Sequence, residues 1–227
     1  MVRRVAHALV DLVVPRLCGG CGRPGSNWCD RCAHVVADAP TAVRPRVPLP
    51  VPVYAVGRYT GPHRRAILEL KEHGRADLAR PLGSALAGAL RTVDGWSELP
   101  VARHLVLVPA PTRRVSARRR GGDPVTAICV HACTLLGPRA SVLPVLTTSS
   151  WARDSAGLSA AARSANLAGA IEISGRGRRR MEAVRAAGTA VVLVDDVLTT
   201  GATAAESMKV LARAGMDVHL VLVIAAA

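Results

Sequence analysis

The sequence predicts an α/β fold: a mainly parallel twisted sheet with helices on both faces, preceded by a small N-terminal module built on four cysteines. Three observations predict it. From Val53 onward, apolar strand-length runs alternate with helical patterns, and that alternation is what parallel sheets are made from. One run, Val191 to Val194, is apolar without a break, as a strand buried on both faces requires. Near the N-terminus, Cys18-Gly-Gly-Cys21 and Cys29-Asp-Arg-Cys32 stand only seven residues apart.

Size and composition permit this arrangement. A chain of 227 residues holds one sizeable α/β domain and a small module. Half of the residues are hydrophobic, but aromatics make up only 2% and Phe is absent, so the core must be built from Val, Leu, Ile and Ala. Thirty Lys and Arg stand against 16 Asp and Glu, a formal net charge of +14. Such a chain attracts anions, either phosphorylated metabolites or nucleic acid, and composition alone does not choose between them.

The elements follow in order. Val5, Leu9, Leu12 and Val13 give the first 14 residues an amphipathic helical pattern that packs on a neighbouring element rather than on lipid. The stretch is a poor signal peptide and too short to span a membrane, so a cytoplasmic protein with no membrane span is expected. The four cysteines suit one tetrahedral Zn²⁺. Disulfides and spent redox pairs are the other readings, and the absence of a secretion signal disfavours disulfides. Four thiolates leave no open coordination position, so the role of the metal is structural, and its binding supplies folding energy to a segment poor in apolar residues. Residues 1–36 therefore form the N-terminal helix and the four-cysteine zinc module. Five prolines make 37–52 a stiff linker or extended arm. Residues 53–227 form the main domain.

Within it, strands are expected at Val53–Tyr59, His104–Val108, Ser141–Leu146, Gly169–Ile173, Ala190–Val194 and Val218–Ile224. Helices are expected at Pro62–Glu72, Ala76–Val93, Pro124–Leu136, Ser159–Asn166 and from Thr203 to Arg213. Cys129 and Cys133 fall at i and i+4 of a helical pattern and read as small core residues. Residues 147–155 read as an exposed loop. Arg176 to Arg180 read as an exposed loop or a nucleic-acid contact.

The chemistry concentrates at Val191 to Thr203. Asp195 and Asp196 end the apolar run, at the strand edge where open α/β sheets bind ligands. Thr199, Thr200, Gly201, Ala202 and Thr203 then form a turn at a helix N-terminus, where free amides, the helix dipole and the threonine hydroxyls favour a phosphate. Vicinal carboxylates beside a phosphate cradle fit a ribose 5-phosphate. Receiver domains and Walker B strands also end in acids, but the first place them early in the domain and the second need a G-x-x-x-x-G-K-[ST] loop that is absent here. The plainer alternative is a core strand whose threonines cap the next helix.

The segment resembles the phosphoribosyl-pyrophosphate (PRPP) motif of type I phosphoribosyltransferases. Further matches run from Tyr59 to Arg75, from Val108 to Gly121 and from Arg153 to Ala170. With the four cysteines they make the chain similar, from Leu12 to its end, to the ComF family of phosphoribosyltransferase-like proteins. It departs from the family's usual pattern at Gly122 to Pro124, where an aromatic is common.

The resemblance implies a type I phosphoribosyltransferase fold and binding of PRPP with Mg²⁺. Asp195 and Asp196 would hold the ribose, and Arg113 and Arg114, after the Pro109–Pro111 turn, the pyrophosphate. Arg153 would sit in a lid. Lys71 would reach the pyrophosphate or be a solvated helix residue. An enzyme transferring phosphoribosyl to an unknown acceptor is the first functional expectation. The second is a non-catalytic nucleic-acid-binding protein of DNA uptake, with single-stranded DNA or a competence-machinery partner. The third, a PRPP-sensing regulator, lacks any helix-turn-helix signal.

Overall fold

The computed structural model describes residues 16–111, 123–148, 170–184 and 188–227. The expected N-terminal helix, the Ser159–Asn166 helix, Arg113, Arg114, Arg118 to Arg120 and Arg153 lie outside the described residues.

In chain order the elements are α1 (Asp30–Val36), β1 (Thr41–Ala42), β2 (Val53–Arg58), α2 (Gly61–Glu72), a 3₁₀ turn (Ala76–Leu78), α3 (Ala79–Gly95) and β3 (His104–Pro109). Then come α4 (Pro124–Leu136), β4 (Ala140–Val142), β5 (Leu146–Thr148), β6 (Ile171–Ile173), α5 (Gly175–Val184), β7 (Thr189–Leu198), α6 (Ala202–Arg213) and β8 (Leu220–Ala226). Among the described residues the main sheet has the order β1-β2-β8-β7-β3-β4. All neighbours pair in parallel except the short edge strand β1, which is antiparallel to β2. The molecule is thus a mixed α/β structure with a mostly parallel sheet.

The sheet is buried on both faces, and the residues divide by strand alternation. Leu107, Val192, Val194, Leu220 and Leu222 pack into one core layer with α2, α3 and α4. Val106, Val108, Val191, Leu193, Val221 and Val223 pack into the other, which takes Ala204 and Leu211 from α6 and Met181 from α5. Cys129 is fully buried in the first layer and Cys133 is packed against it, as expected for small core residues.

The order of strands creates a switch point. From β3 the chain crosses through α4 to its outer neighbour β4, and from β7 it crosses through α6 the opposite way to β8. Strands β3 and β7 lie side by side, with Pro109 opposite Val194. Connections that leave neighbouring strands in opposite directions open a crevice at their carboxyl ends.

Three expectations need correction. The single strand expected at Ser141–Leu146 is two. Ala140–Val142 pairs with β3, and after Pro144 the chain leaves the sheet, so Leu146–Thr148 pairs antiparallel with β6 instead. The arginine-rich stretch expected as a loop is the helix α5. Its apolar anchor is the buried Met181, while Arg178, Arg179 and Arg180 stay exposed. The strand expected to stop at Val194 continues to Leu198, because β8 offers a ladder partner beyond the end of β3.

The proline-rich segment, expected as a stiff linker or extended arm, leaves β1 as a loop that bends at 46–47 and 50–51 and returns to β2. Val43 N–H donates to the Val53 carbonyl, and Val47 N–H crosses to the Thr200 carbonyl at 2.8 Å. It therefore forms a strap whose outer bend rests against the turn before α6. Among the described residues, no helix is long and apolar enough to cross a membrane.

Candidate functional site

Asp195 and Asp196 lie at the switch point, beyond the last paired residue of β3 and still within the β7–β8 ladder. Consecutive strand residues ordinarily face opposite sides of a sheet. Here the alternation slips: Val194 belongs to the α3 side, yet Val197 packs on that side too, and Leu198 returns to the other. The two carboxylates occupy this slip. Asp195 Oδ1 folds along the chain to accept the Asp196 N–H at 2.8 Å. Asp196 is buried and its Oδ2 lies 2.5 Å from Lys71 Nζ.

Helix α2 explains how Lys71 arrives there. It starts directly after β2 and contacts both β2 and β8. Ala66, Ile67 and Leu70 hold its inner face in the core. Lys71, in the last turn, comes down over β7.

Electrostatics distinguish the two acids. Burial, and then the charge of Asp196, push the Asp195 carboxyl up to about 8; the Asp196 N–H and Lys71 oppose the rise without cancelling it. Asp123 adds to the rise. Sequence reasoning missed Asp123. It caps α4, accepting from Thr126 N–H at 3.0 Å and from the Thr126 hydroxyl. An Asp-Pro pair opening a helical pattern is the signal that could have found it.

The turn after β7 leads into α6 through Gly201, whose φ of +88° lies in the left-handed region. A β-carbon there would also meet Pro45 of the strap at 2.8 Å. The Ala202 N–H points to Thr200 Oγ1 at 3.3 Å. The other amides of the first turn have no partner inside the helix, which is the usual basis of anion binding at such ends. Thr199 is exposed, and Thr200 and Thr203 are partly so. The structure thus brings Asp195, Asp196, Lys71 and the Thr199–Thr203 turn to one edge of the sheet.

The four cysteines form a second centre. Their Sγ atoms all lie within 4.8 Å of one another. Cys18 and Cys32 are 3.7 Å apart, and so are Cys21 and Cys29. A zinc–sulfur bond of about 2.3 Å sets the edge of a sulfur tetrahedron at about 3.8 Å, which these two edges match, so the cage suits Zn²⁺. The Cys29 N–H points at Cys18 Sγ at 3.4 Å. Burial raises the Cys18 thiol, but amides of Cys21, Cys29 and Gly20 outweigh it and bring it down to about 6. Burial and the three neighbouring sulfurs push Cys32 upward. Zinc held here would be structural, since four sulfurs close its coordination.

No family model matches the chain. Over 202 residues it is 28% identical to "DNA utilization protein YhgH" of Salmonella typhi, a span that covers 88% of this chain and 79% of that protein. At this identity the likeness gives weak support to a ComF-related family.

Proposed function

We propose that the chain binds a ribose 5-phosphate, PRPP being the form its resemblance implies, and transfers the phosphoribosyl group to an acceptor. The observation that carries this reading is the pair Asp195–Asp196 beside the α6 N-terminus, at the switch point of a parallel sheet. The carboxylates would accept hydrogen bonds from vicinal ribose hydroxyls. The first-turn amides of α6, with Thr199, Thr200 and Thr203, would hold the 5-phosphate. The turn after β3, next to Asp195 across the crevice, would face the pyrophosphate. Arg113 and Arg114 just beyond it would meet its oxygens bidentately.

Cleavage of the bond to pyrophosphate develops positive charge on the ribose. Asp196 stabilises that charge, and so does Asp195 once it is ionised, provided the site is oriented and closed to water. Closure is assigned to the segment carrying Arg153. Mg²⁺, when bound, would neutralise phosphate oxygens. The protein offers it few ligands, since Asp196 is engaged by Lys71, and a phosphate-rich substrate requires few. A type I phosphoribosyltransferase fold and a cytoplasmic location belong to the same proposal.

Calorimetric titration with PRPP and Mg²⁺ tests it. Wild type should bind, and the double variant Asp195→Asn with Asp196→Asn should not while its fold persists. Undiminished affinity in the double variant overturns the assignment, and pyrophosphate release on adding an acceptor separates turnover from binding.

A second reading is favoured by the net charge of +14, the exposed Arg178, Arg179 and Arg180, and the DNA-related name of the relative. In it the protein binds nucleic acid without catalysis. With three Trp, two Tyr and no Phe, contact would run through the phosphate backbone rather than through base stacking. Single-stranded DNA binding that falls steeply with salt and ignores PRPP would select it.

A further inference from the structure

We propose that the four-cysteine module is a positioning element for the ribose-phosphate site, and that Arg75 transmits its influence. Metal-loaded, the module braces the turn of α2 that presents Lys71 to Asp196. The proposal rests on the ribose-phosphate reading given above and adds a dependence on the metal.

The guanidinium of Arg75 joins the two regions. Its Nη1 donates to the Leu17 carbonyl at 3.0 Å and its Nη2 to the Asn27 carbonyl at 3.3 Å. Leu17 immediately precedes Cys18, and Asn27 lies two residues before Cys29, so both carbonyls belong to the loops that carry the sulfurs. Asn27 also accepts the Gly19 N–H at 3.0 Å. Asp77 holds the fork in this orientation through Nε and Nη2, both at 2.8 Å. The pairing raises Arg75 and lowers Asp77 from their ordinary values.

The other end of the link is the backbone. Arg75 N–H and His73 N–H both donate to the Glu69 carbonyl in the last turns of α2, at 3.1 and 3.2 Å. Lys71 lies between Glu69 and His73. Beside this link, the fully buried Leu78 fills the space over Gly19, where a β-carbon would come within 2.5 Å of its Cδ2. One face of the Lys71 turn thus leans on the cysteine loops and the other on Asp196. Without a cation the four sulfurs lose the bonds that would tie them together, and the loops lose their common anchor. Arg75 then loses two fixed acceptors, and the turn bearing Lys71 loosens.

The test uses the full chain with its zinc content measured. Ribose 5-phosphate is titrated into wild type, Arg75→Ala and Arg75→Lys, and amide hydrogen exchange is followed at His73 and Arg75. Arg75→Ala should keep its zinc, bind the ligand roughly tenfold more weakly and exchange faster at His73. Arg75→Lys should not rescue, because an ammonium lacks the planar fork. In wild type, saturating ligand should tighten zinc binding by the same factor by which zinc tightens ligand binding. Zinc-loaded Arg75→Ala with wild-type affinity and wild-type exchange overturns the coupling. Should wild type fail to bind ribose 5-phosphate, the site reading falls by itself. Exchange at His73 on chelation then decides the brace: faster supports it, unchanged refutes it.

Discussion

Replacing Asp195 by Asn should make the protein more stable and less able to bind its ligand. Asn has nearly the shape of Asp and keeps an oxygen to accept the Asp196 N–H, but it carries no charge to desolvate or to set against Asp196. The magnitude follows from the interval between the ordinary value of 3.8 and about 8. That interval is roughly four pH units, on the order of 5 kcal/mol at 1.36 kcal/mol per unit. A carboxyl raised in the folded state favours folding while it is protonated. Its contribution is complete below about 3.8, the unfolded value, and is lost as pH rises to about 8, the folded value.

The difference in unfolding free energy, Asp195→Asn minus wild type, should therefore grow across that window and level off above it. Side-chain relaxation trims the figure, so a gain of about 2 kcal/mol or more is expected at ~pH 9. Urea unfolding of both proteins from ~pH 5 to ~pH 9 measures it, and taking the difference removes the titrations the two share. A variant no more stable than wild type at the alkaline end would refute the reasoning.

The remaining predictions concern other parts of the molecule. Cys18→Ser should release zinc and destabilise the N-terminal module, measured as metal content and thermal unfolding; wild type that is metal-free yet fully folded there would exclude the zinc reading. Gly201→Ala should cost about 1–3 kcal/mol through its left-handed backbone and its collision with Pro45, and should weaken phosphate binding as the turn shifts; wild-type stability and affinity would contradict the close packing of strap and turn. Leu193→Ala, fully buried in β7, should cost about 3–5 kcal/mol by denaturant titration, and a loss well under that would mean the sheet collapses around the cavity.

Much of the fold was legible because it is written locally. The helix at Pro124–Leu136 falls on the expected residues, since Asp123 caps it and Gly137 ends it. The buried runs at β3 and β7 announced themselves by unbroken hydrophobicity. What escaped depends on distant partners. The extension of β7 to Leu198 comes from its ladder with β8, which no local pattern encodes. Helix α5 was obscured by its charge, with Met181 as its single described buried side chain of large size. At the site, the carboxylates and the threonine turn were legible as a motif. The ion pair of Lys71 with Asp196 was not, because more than half the chain separates them. Nor was the strap, whose hydrogen bond to Thr200 joins two regions that share no pattern.

The pairing of β2 with β8 has a consequence for synthesis. Strand β2 leaves the ribosome long before its partner does. Until Leu220–Ala226 emerges, β2 has an unpaired backbone edge and uncovered apolar faces, and β1 with the strap has no completed sheet to lie on. Contacts closed over such long loops form late and slowly. The early four-cysteine module can assemble while the sheet is still open, whereas the edge that carries Asp195, Asp196 and the Thr199–Thr203 turn is completed only when β8 docks. A nascent chain stalled before β8 would thus present a finished four-cysteine module on an unfinished, aggregation-prone sheet.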